Sequence, residues 1–169
     1  MSDKLINRDM KPLQPGDKVP DFTLRDQSGE LFDINSVRGR KNLIIFFYPQ
    51  DGSLGCTREA CYFRDLSETF EETDSIIIGI SGQSVESHKK FAEDHRLNYP
   101  ILSDEGNKVR KLFGAAKLFG LIPGRVTYVA DKEGTIAYVF DSQTQVERHV
   151  DEALKIALIL KKSEINTIL

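Results

Sequence analysis

The chain is predicted to fold as an α/β protein with a central mixed β-sheet flanked by helices, and three observations carry that prediction. First, residues 43–48 (Leu-Ile-Ile-Phe-Phe-Tyr) and 76–80 form continuous apolar runs. Their length and their β-branched and aromatic content fit strands buried on both faces. Second, segments with apolar residues at helical spacing alternate with these runs, which points to parallel strands covered by helices. Third, turn-rich segments near both ends frame short strands suited to antiparallel pairing.

Taken in order, residues 12–20 are punctuated by Pro12, Pro15, Gly16 and Pro20. Phe22, Leu24 and Leu31 then flank a Gln27-Ser28-Gly29 turn, the grammar of an N-terminal β-hairpin. After the strand at 43–48 comes a loop, 49–55. Residues 57 to about 72 carry Ala60, Phe63, Leu66 and Phe70 on one helical stripe. Beyond the second buried strand, Ser84 is a candidate N-cap for a helix that places Val85, His88 and Phe91 on one face. A shorter helix is expected over 107–113. Strands at 126–130 and 135–140 are joined by the tight turn Asp131-Lys132-Glu133-Gly134. The last helix is read from a Thr144–Glu147 capping box and a stripe of Val146, Val150, Leu154, Ala157 and Leu158. This order of β-hairpin, β, α, β, α, α, β, β, α is the outline of a thioredoxin-like fold with an N-terminal hairpin extension. Residues 1–169 are read as one domain, with 1–11 as a flexible polar tail.

The chain has 169 residues, of which 40% are apolar, enough for a core, and a net charge of -3 with both signs interspersed. That balance argues against a nucleic-acid partner, which calls for a basic patch. No apolar run reaches the length of a membrane span. The first residues lack both the apolar centre of a signal peptide and the Arg/Ser-rich, acid-poor character of a transit peptide, so a cytoplasmic location is expected. In a reducing compartment, the cysteines Cys56 and Cys61 point to catalysis, redox sensing or metal binding rather than to a structural staple.

Cys56 falls where the loop after a buried strand becomes a helix. Unpaired backbone N–H groups and the positive end of the helix dipole converge there and favour an anion such as a thiolate. Cys56 is therefore expected to ionise more readily than a free cysteine. Arg58 is a further candidate cation. On a regular helix, Cys56 and Cys61 would be separated by a rise of roughly 7.5 Å and a turn of about 140°, whereas a disulfide needs Cα atoms about 4.4–6.8 Å apart. The pair therefore never bonds, or bonds only when the first turns unwind, which makes the spacing suggestive of a switch.

The segment Tyr48-Pro-Gln-Asp-Gly-Ser-Leu-Gly-Cys56-Thr-Arg-Glu-Ala-Cys61 resembles the active site of peroxiredoxins, whose pattern is Pro, three residues, Thr or Ser, two residues, Cys. Pro49, Ser53 and Cys56 match it position by position. The Cys-x4-Cys spacing resembles the bacterioferritin comigratory protein group, also called peroxiredoxin Q. Residues 16–24, 81–95 and 124–134 resemble further segments of the family, so the likeness spans roughly residues 12 to 160. One departure is Leu54, where the family usually has Pro; it frees φ and restores a backbone N–H.

The resemblance implies a thiol peroxidase acting on hydrogen peroxide and organic hydroperoxides. Cys56 would be the attacking thiolate, and Cys61 the resolving thiol that closes an intramolecular disulfide. Arg125 would supply fixed charge, Ser53 would hydrogen-bond the peroxide, and backbone N–H groups of Gly55 and Cys56 would add donors. Pro49 would shield the pocket. The implied reductant is thioredoxin or a similar dithiol, and the implied state is a monomer without cofactor or metal. A zinc site built on the cysteines with His88, His95 and His149 lacks the usual histidine spacing. Three rival readings remain open. A thioredoxin-type oxidoreductase lacks its Cys-x-x-Cys signature here. The others are a redox-sensing binding module and an inactive structural domain.

Overall fold

The computed structural model describes residues 11–117 and 122–168; all of the expected N-terminal tail except Lys11 lies outside them. The N-terminal hairpin is β1 (Thr23–Arg25) and β2 (Leu31–Asp33), followed by a single 3-10 turn. Then come β3 (Asn42–Phe47), α1 (Leu54–Asp65), α2 (Ser67–Glu72), β4 (Ser75–Ser81), α3 (Val85–His95), β5 (Ile101–Ser103) and α4 (Lys108–Phe113). A small ribbon of β6 (Ala116–Lys117) and β7 (Ile122–Pro123) precedes β8 (Val126–Ala130), β9 (Ile136–Asp141) and α5 (Val146–Ile168).

Seven strands form one sheet in the order β2-β1-β5-β4-β3-β8-β9. β4 pairs in parallel with β3 and β5. β1–β2, β1–β5, β3–β8 and β8–β9 are antiparallel, so the sheet is mixed as expected. Every residue of β3 is buried, because helices cover both faces. Ile44, Phe46 and Tyr48 point into one apolar cluster with Ala60 and Phe63 of α1, Phe70 of α2, Phe91 of α3 and Val150 of α5. Leu43, Ile45 and Phe47 point into the opposite cluster with Val109 and Phe113 of α4. This two-fold alternation is what a period of two residues gives when both sides are filled. Gly79 in β4 has a packing reason: a Cβ there would come 2.8 Å from the Phe46 ring, which stacks on Phe63 with centroids 4.5 Å apart.

The structure corrects several details. The helix expected over 57–72 starts at Leu54, because Ser53 caps it, and it breaks at Leu66 into α1 and α2. No glycine or proline marks the break; Phe63 and Phe70 on either side of it pack together with ring centroids 5.7 Å apart. β5 and the β6–β7 ribbon are additional to the expected strands, each being too short to show a period. Glu147 pairs with Arg58 instead of closing a capping box on Thr144, and the helix begins at Val146. Leu158 is half exposed; Ala157 is buried as expected, and Ala153 joins the stripe. Ser84 caps α3 as expected, its hydroxyl accepting the N–H of Ser87 at 3.1 Å.

Candidate active site

β3 ends under the N-terminus of α1. β8 runs antiparallel beside β3 with Phe47 opposite Val126, so the residue preceding β8, Arg125, arrives beside the residues that follow β3. At the helix start, the Ser53 hydroxyl accepts the N–H of Cys56 at 3.3 Å. Cys56 is fully buried, and its sulfur lies 3.3 Å from Nη2 of Arg125. A fixed cation and a helix N-terminus thus meet at one sulfur. Gly55 keeps this approach open, since a Cβ there would stand 3.2 Å from the same Nη2.

The Arg125 fork is fully engaged. Nη1 donates to Oε1 of Glu59 at 2.8 Å, and Nε donates to the carbonyl of Gln143 at 3.2 Å. Burial works against the Arg125 charge, but Glu59 and Cys56 outweigh it and hold its pKa above the ordinary arginine value. Glu59 is completely buried, and burial pushes its pKa up to about 8 despite the pull of Arg125. Its Oε2 has no hydrogen-bond partner. His149 sits 3.7 Å from that oxygen. Burial lowers the His149 pKa to about 4, so the ring is neutral: Nε2–H donates to the Ser142 carbonyl at 2.7 Å and Nδ1 accepts from the Thr127 hydroxyl at 2.8 Å.

Glu59 therefore has a stability signature. In the folded chain it keeps a proton that the unfolded chain releases in the ordinary glutamate range, so its contribution falls as pH rises from that range to about 8. Glu59→Gln keeps the acceptor for Nη1 and cannot ionise. The thermal midpoint of the variant relative to the native chain is expected to rise between pH 5 and pH 8, by about 3 °C or more. Melting curves at a series of pH values check this; a difference that stays constant with pH would show that Glu59 does not titrate in this window.

The loop before α1 is held by a second polar group. Tyr48 donates its hydroxyl to Oδ1 of Asp51 at 2.6 Å, and Ser87 donates to Oδ2 at 2.7 Å. Nδ1 of His88 lies 2.6 Å from Oδ2, and Nε2 lies 3.1 Å from the Leu102 carbonyl. The Asp51 N–H donates to the side-chain carbonyl of Gln83. Burial alone would raise the pKa of Asp51; the hydrogen bonds from His88 and Tyr48 outweigh it and lower the value.

Of the residues singled out from sequence, Ser53, Gly55, Cys56 and Arg125 converge, and Pro49 is half-buried at the end of β3. The Cys56 N–H is already given to Ser53, which leaves Gly55 as the freer backbone donor of the expected pair. Leu54 is the first residue of α1, with its side chain 79% exposed. Arg58 points away and pairs with Glu147 of α5. Cys61 lies half-buried on the same unbroken α1, and both cysteines are free. Sequence reasoning missed Glu59, although its position three residues after Cys56 puts it one turn away on the same face. It also missed Asp51 and Arg110, most of whose partners are distant in the chain. The three histidines are dispersed, and the described residues hold no group of metal-ligating side chains.

Residues 15–139 match the model of the AhpC/TSA family. A putative chloroplastic peroxiredoxin Q of Oryza sativa is 48% identical over 145 residues, 85% of this chain and 66% of that protein. The chain thus spans about two-thirds of the rice protein's length. Chloroplastic peroxiredoxin Q of Sedum lineare is 48% identical over 147 residues, 86% of this chain and 78% of its own. Among solved structures, peroxidoxin BcpB of Mycobacterium tuberculosis superposes with a TM-score of 0.82 at 36% identity, covering 88% of this chain and 98% of its own. A Xanthomonas campestris bacterioferritin comigratory protein, described for alkyl peroxide reduction, superposes with a TM-score of 0.76 at 25% identity, covering 83% and 92%. The chloroplastic relatives overturn the cytoplasmic location expected from composition. No described helix is long and apolar enough to cross a membrane.

Proposed function

The chain belongs to the AhpC/TSA family, and from that membership together with the site geometry we propose that it is a thiol peroxidase that reduces hydrogen peroxide and organic hydroperoxides with electrons from thioredoxin or a similar dithiol. The observation that carries this reading is the buried Cys56 sulfur held 3.3 Å from Arg125 at the start of α1. In the first step the thiolate attacks one peroxide oxygen, an S–O bond forms, and the O–O bond breaks. Cys56 becomes a sulfenic acid, and the departing alkoxide or hydroxide takes up a proton as alcohol or water. Arg125 stabilises the charge that develops on the leaving oxygen, and the Ser53 hydroxyl and the Gly55 N–H bind the peroxide. Pro49 closes one side of the pocket and keeps water from the intermediate.

In the second step the Cys61 thiol attacks the sulfenic sulfur, an S–S bond forms, and water leaves. α1 must unwind for this, because its present winding holds the two cysteines too far apart. The external dithiol then reduces the disulfide. An intramolecular resolving cysteine removes the need for a second copy, so the working unit is a monomer. Peroxide consumption coupled to thioredoxin turnover tests the proposal. The reduced chain is expected to consume many equivalents with thioredoxin present, and one without it. Consumption that stops at one equivalent with thioredoxin present would make the chain a stoichiometric sensor, and no consumption by reduced, folded chain would overturn the reading.

A further inference from the structure

Among the described residues Arg110 is the most deeply buried lysine or arginine, 1% exposed, on the short helix α4. Its guanidinium is spent almost entirely on neutral acceptors. Nη1 donates to the Gly124 carbonyl at 2.6 Å, Nη2 to the Tyr48 carbonyl at 2.7 Å, and Nε to Oδ1 of Asn107 at 3.3 Å. The group lies over the Phe47 ring, 5.4 Å from its centre. Asp104, the acid before α4, gives its two carboxylate oxygens to the backbone N–H groups of Val109 and Arg110 instead of to the guanidinium. A buried charge bonded to carbonyls is a poor way to gain stability, because desolvation is not repaid by an opposite charge.

The two carbonyls have a particular place. Tyr48 directly precedes Pro49, and Gly124 directly precedes Arg125. The β3–β8 ladder ends at Phe47 and Val126. Beyond it, the Tyr48 N–H turns to Ile80 and the Gly124 N–H to Ala115, so the two chains part where the site begins. The Arg110 fork spans that gap.

Resting on the peroxidase reading above, we propose that Arg110 is a positioning residue: it clamps the segment that leads to Cys56 and the segment that carries Arg125 at a fixed separation. Burial lowers the Arg110 pKa to about 10, and Asp104, Cys56, Tyr48 and Tyr128 pull it back up, so the group remains charged at neutral pH. The groups facing it are thus Asp104 beside α4, Tyr48 after β3, Tyr128 of β8 and Cys56 of α1. Around the sulfur itself stand Arg125 and, behind that, Glu59.

The test uses the full chain with Cys61→Ser, so that one thiol remains, and adds Arg110→Met or Arg110→Lys. Two quantities are read at one pH: the rate constant of Cys56 alkylation by iodoacetamide, and the rate constant with hydrogen peroxide. In Arg110→Met the peroxide rate constant is expected to fall about tenfold or more, because alignment of Cys56 with Arg125 is lost, while alkylation, which needs no such alignment, changes by less than about threefold. Arg110→Lys keeps the charge but not a rigid two-carbonyl fork, so it should also leave the peroxide rate low. A folded Arg110→Met chain with a parental peroxide rate constant, or with both rates lowered equally, overturns the proposal. If that variant does not fold, Arg110→Lys decides, and a parental peroxide rate there overturns the clamp. If the parent itself is alkylated but ignores peroxide, the peroxidase reading falls, and this proposal falls with it.

Discussion

Replacing Cys56 with serine is expected to reduce peroxide consumption to the background of the assay, whereas replacing Cys61 is expected to leave one fast turnover followed by arrest. The first expectation follows from chemistry at one atom. A serine hydroxyl stays protonated near neutral pH even beside Arg125, so the nucleophile is lost while the cap, the Arg125 fork and the core around α1 remain. The second follows from the winding of α1. With Cys61→Ser, Cys56 is oxidised once, and the sulfenic acid then has no thiol on its own chain to meet. In the native chain that meeting requires the loss of the Ser53 cap on the Cys56 N–H. It also strains the ties that hold the exposed side of the helix to α5, Arg58 to Glu147 and Tyr62 to Asp151. The bond from the Tyr99 hydroxyl to the Ala60 carbonyl, 2.7 Å, marks where the buried side stays pinned. Peroxide consumption with thioredoxin, together with trapping of the sulfenic acid by a dimedone probe, checks both variants. Repeated turnover of Cys61→Ser with thioredoxin would mean that the reductant reaches the Cys56 sulfenic acid directly and that Cys61 is not required.

The parts of this fold that were legible in the sequence are those with a local signal. The buried run 43–48, the Ser84 cap and the β8–β9 turn are written in adjacent residues, and each appears within a residue or two of its expected place. The site was legible to the same depth. Ser53, Cys56 and Arg125 come together because a loop, a helix start and the residue before a strand share one end of the sheet. Partnerships set by the tertiary fold were not legible. Nothing near Arg110 announces that its acceptors are the carbonyls of Tyr48 and Gly124, and nothing near Asp51 points to His88. β5 is three residues long and follows a proline, so only its pairing with β4 and β1 makes it a strand. The capping box at Thr144 failed for a related reason: Glu147 had a better, charged partner in Arg58, on a helix far away in the chain.

Arg125 is where the next-largest loss is expected. Arg125→Met should lower the rate constant for peroxide by about a hundredfold to a thousandfold, the usual scale for removing a donor aimed at developing charge. The guanidinium reaches three acceptors on two segments at once, the Cys56 sulfur and Glu59 on α1 and the Gln143 carbonyl before α5. Arg125→Lys keeps the charge but reaches fewer of them, so it should recover part of the rate and not all of it. Removing one partner of a buried ion pair ordinarily threatens the fold, because the other is left as an unpaired charge. Here the cost is expected to be small. Burial already pushes the Glu59 pKa up to about 8 with Arg125 present, and without Arg125 the carboxyl simply keeps its proton at neutral pH. Activity and stability should therefore separate in Arg125→Met. Peroxide kinetics would show the loss, while melting at pH 7 would stay within a few degrees of the native chain. A variant that unfolds at neutral pH would show instead that Glu59 is held ionised, and that the Glu59–Arg125 pair supports the fold rather than merely orienting the guanidinium.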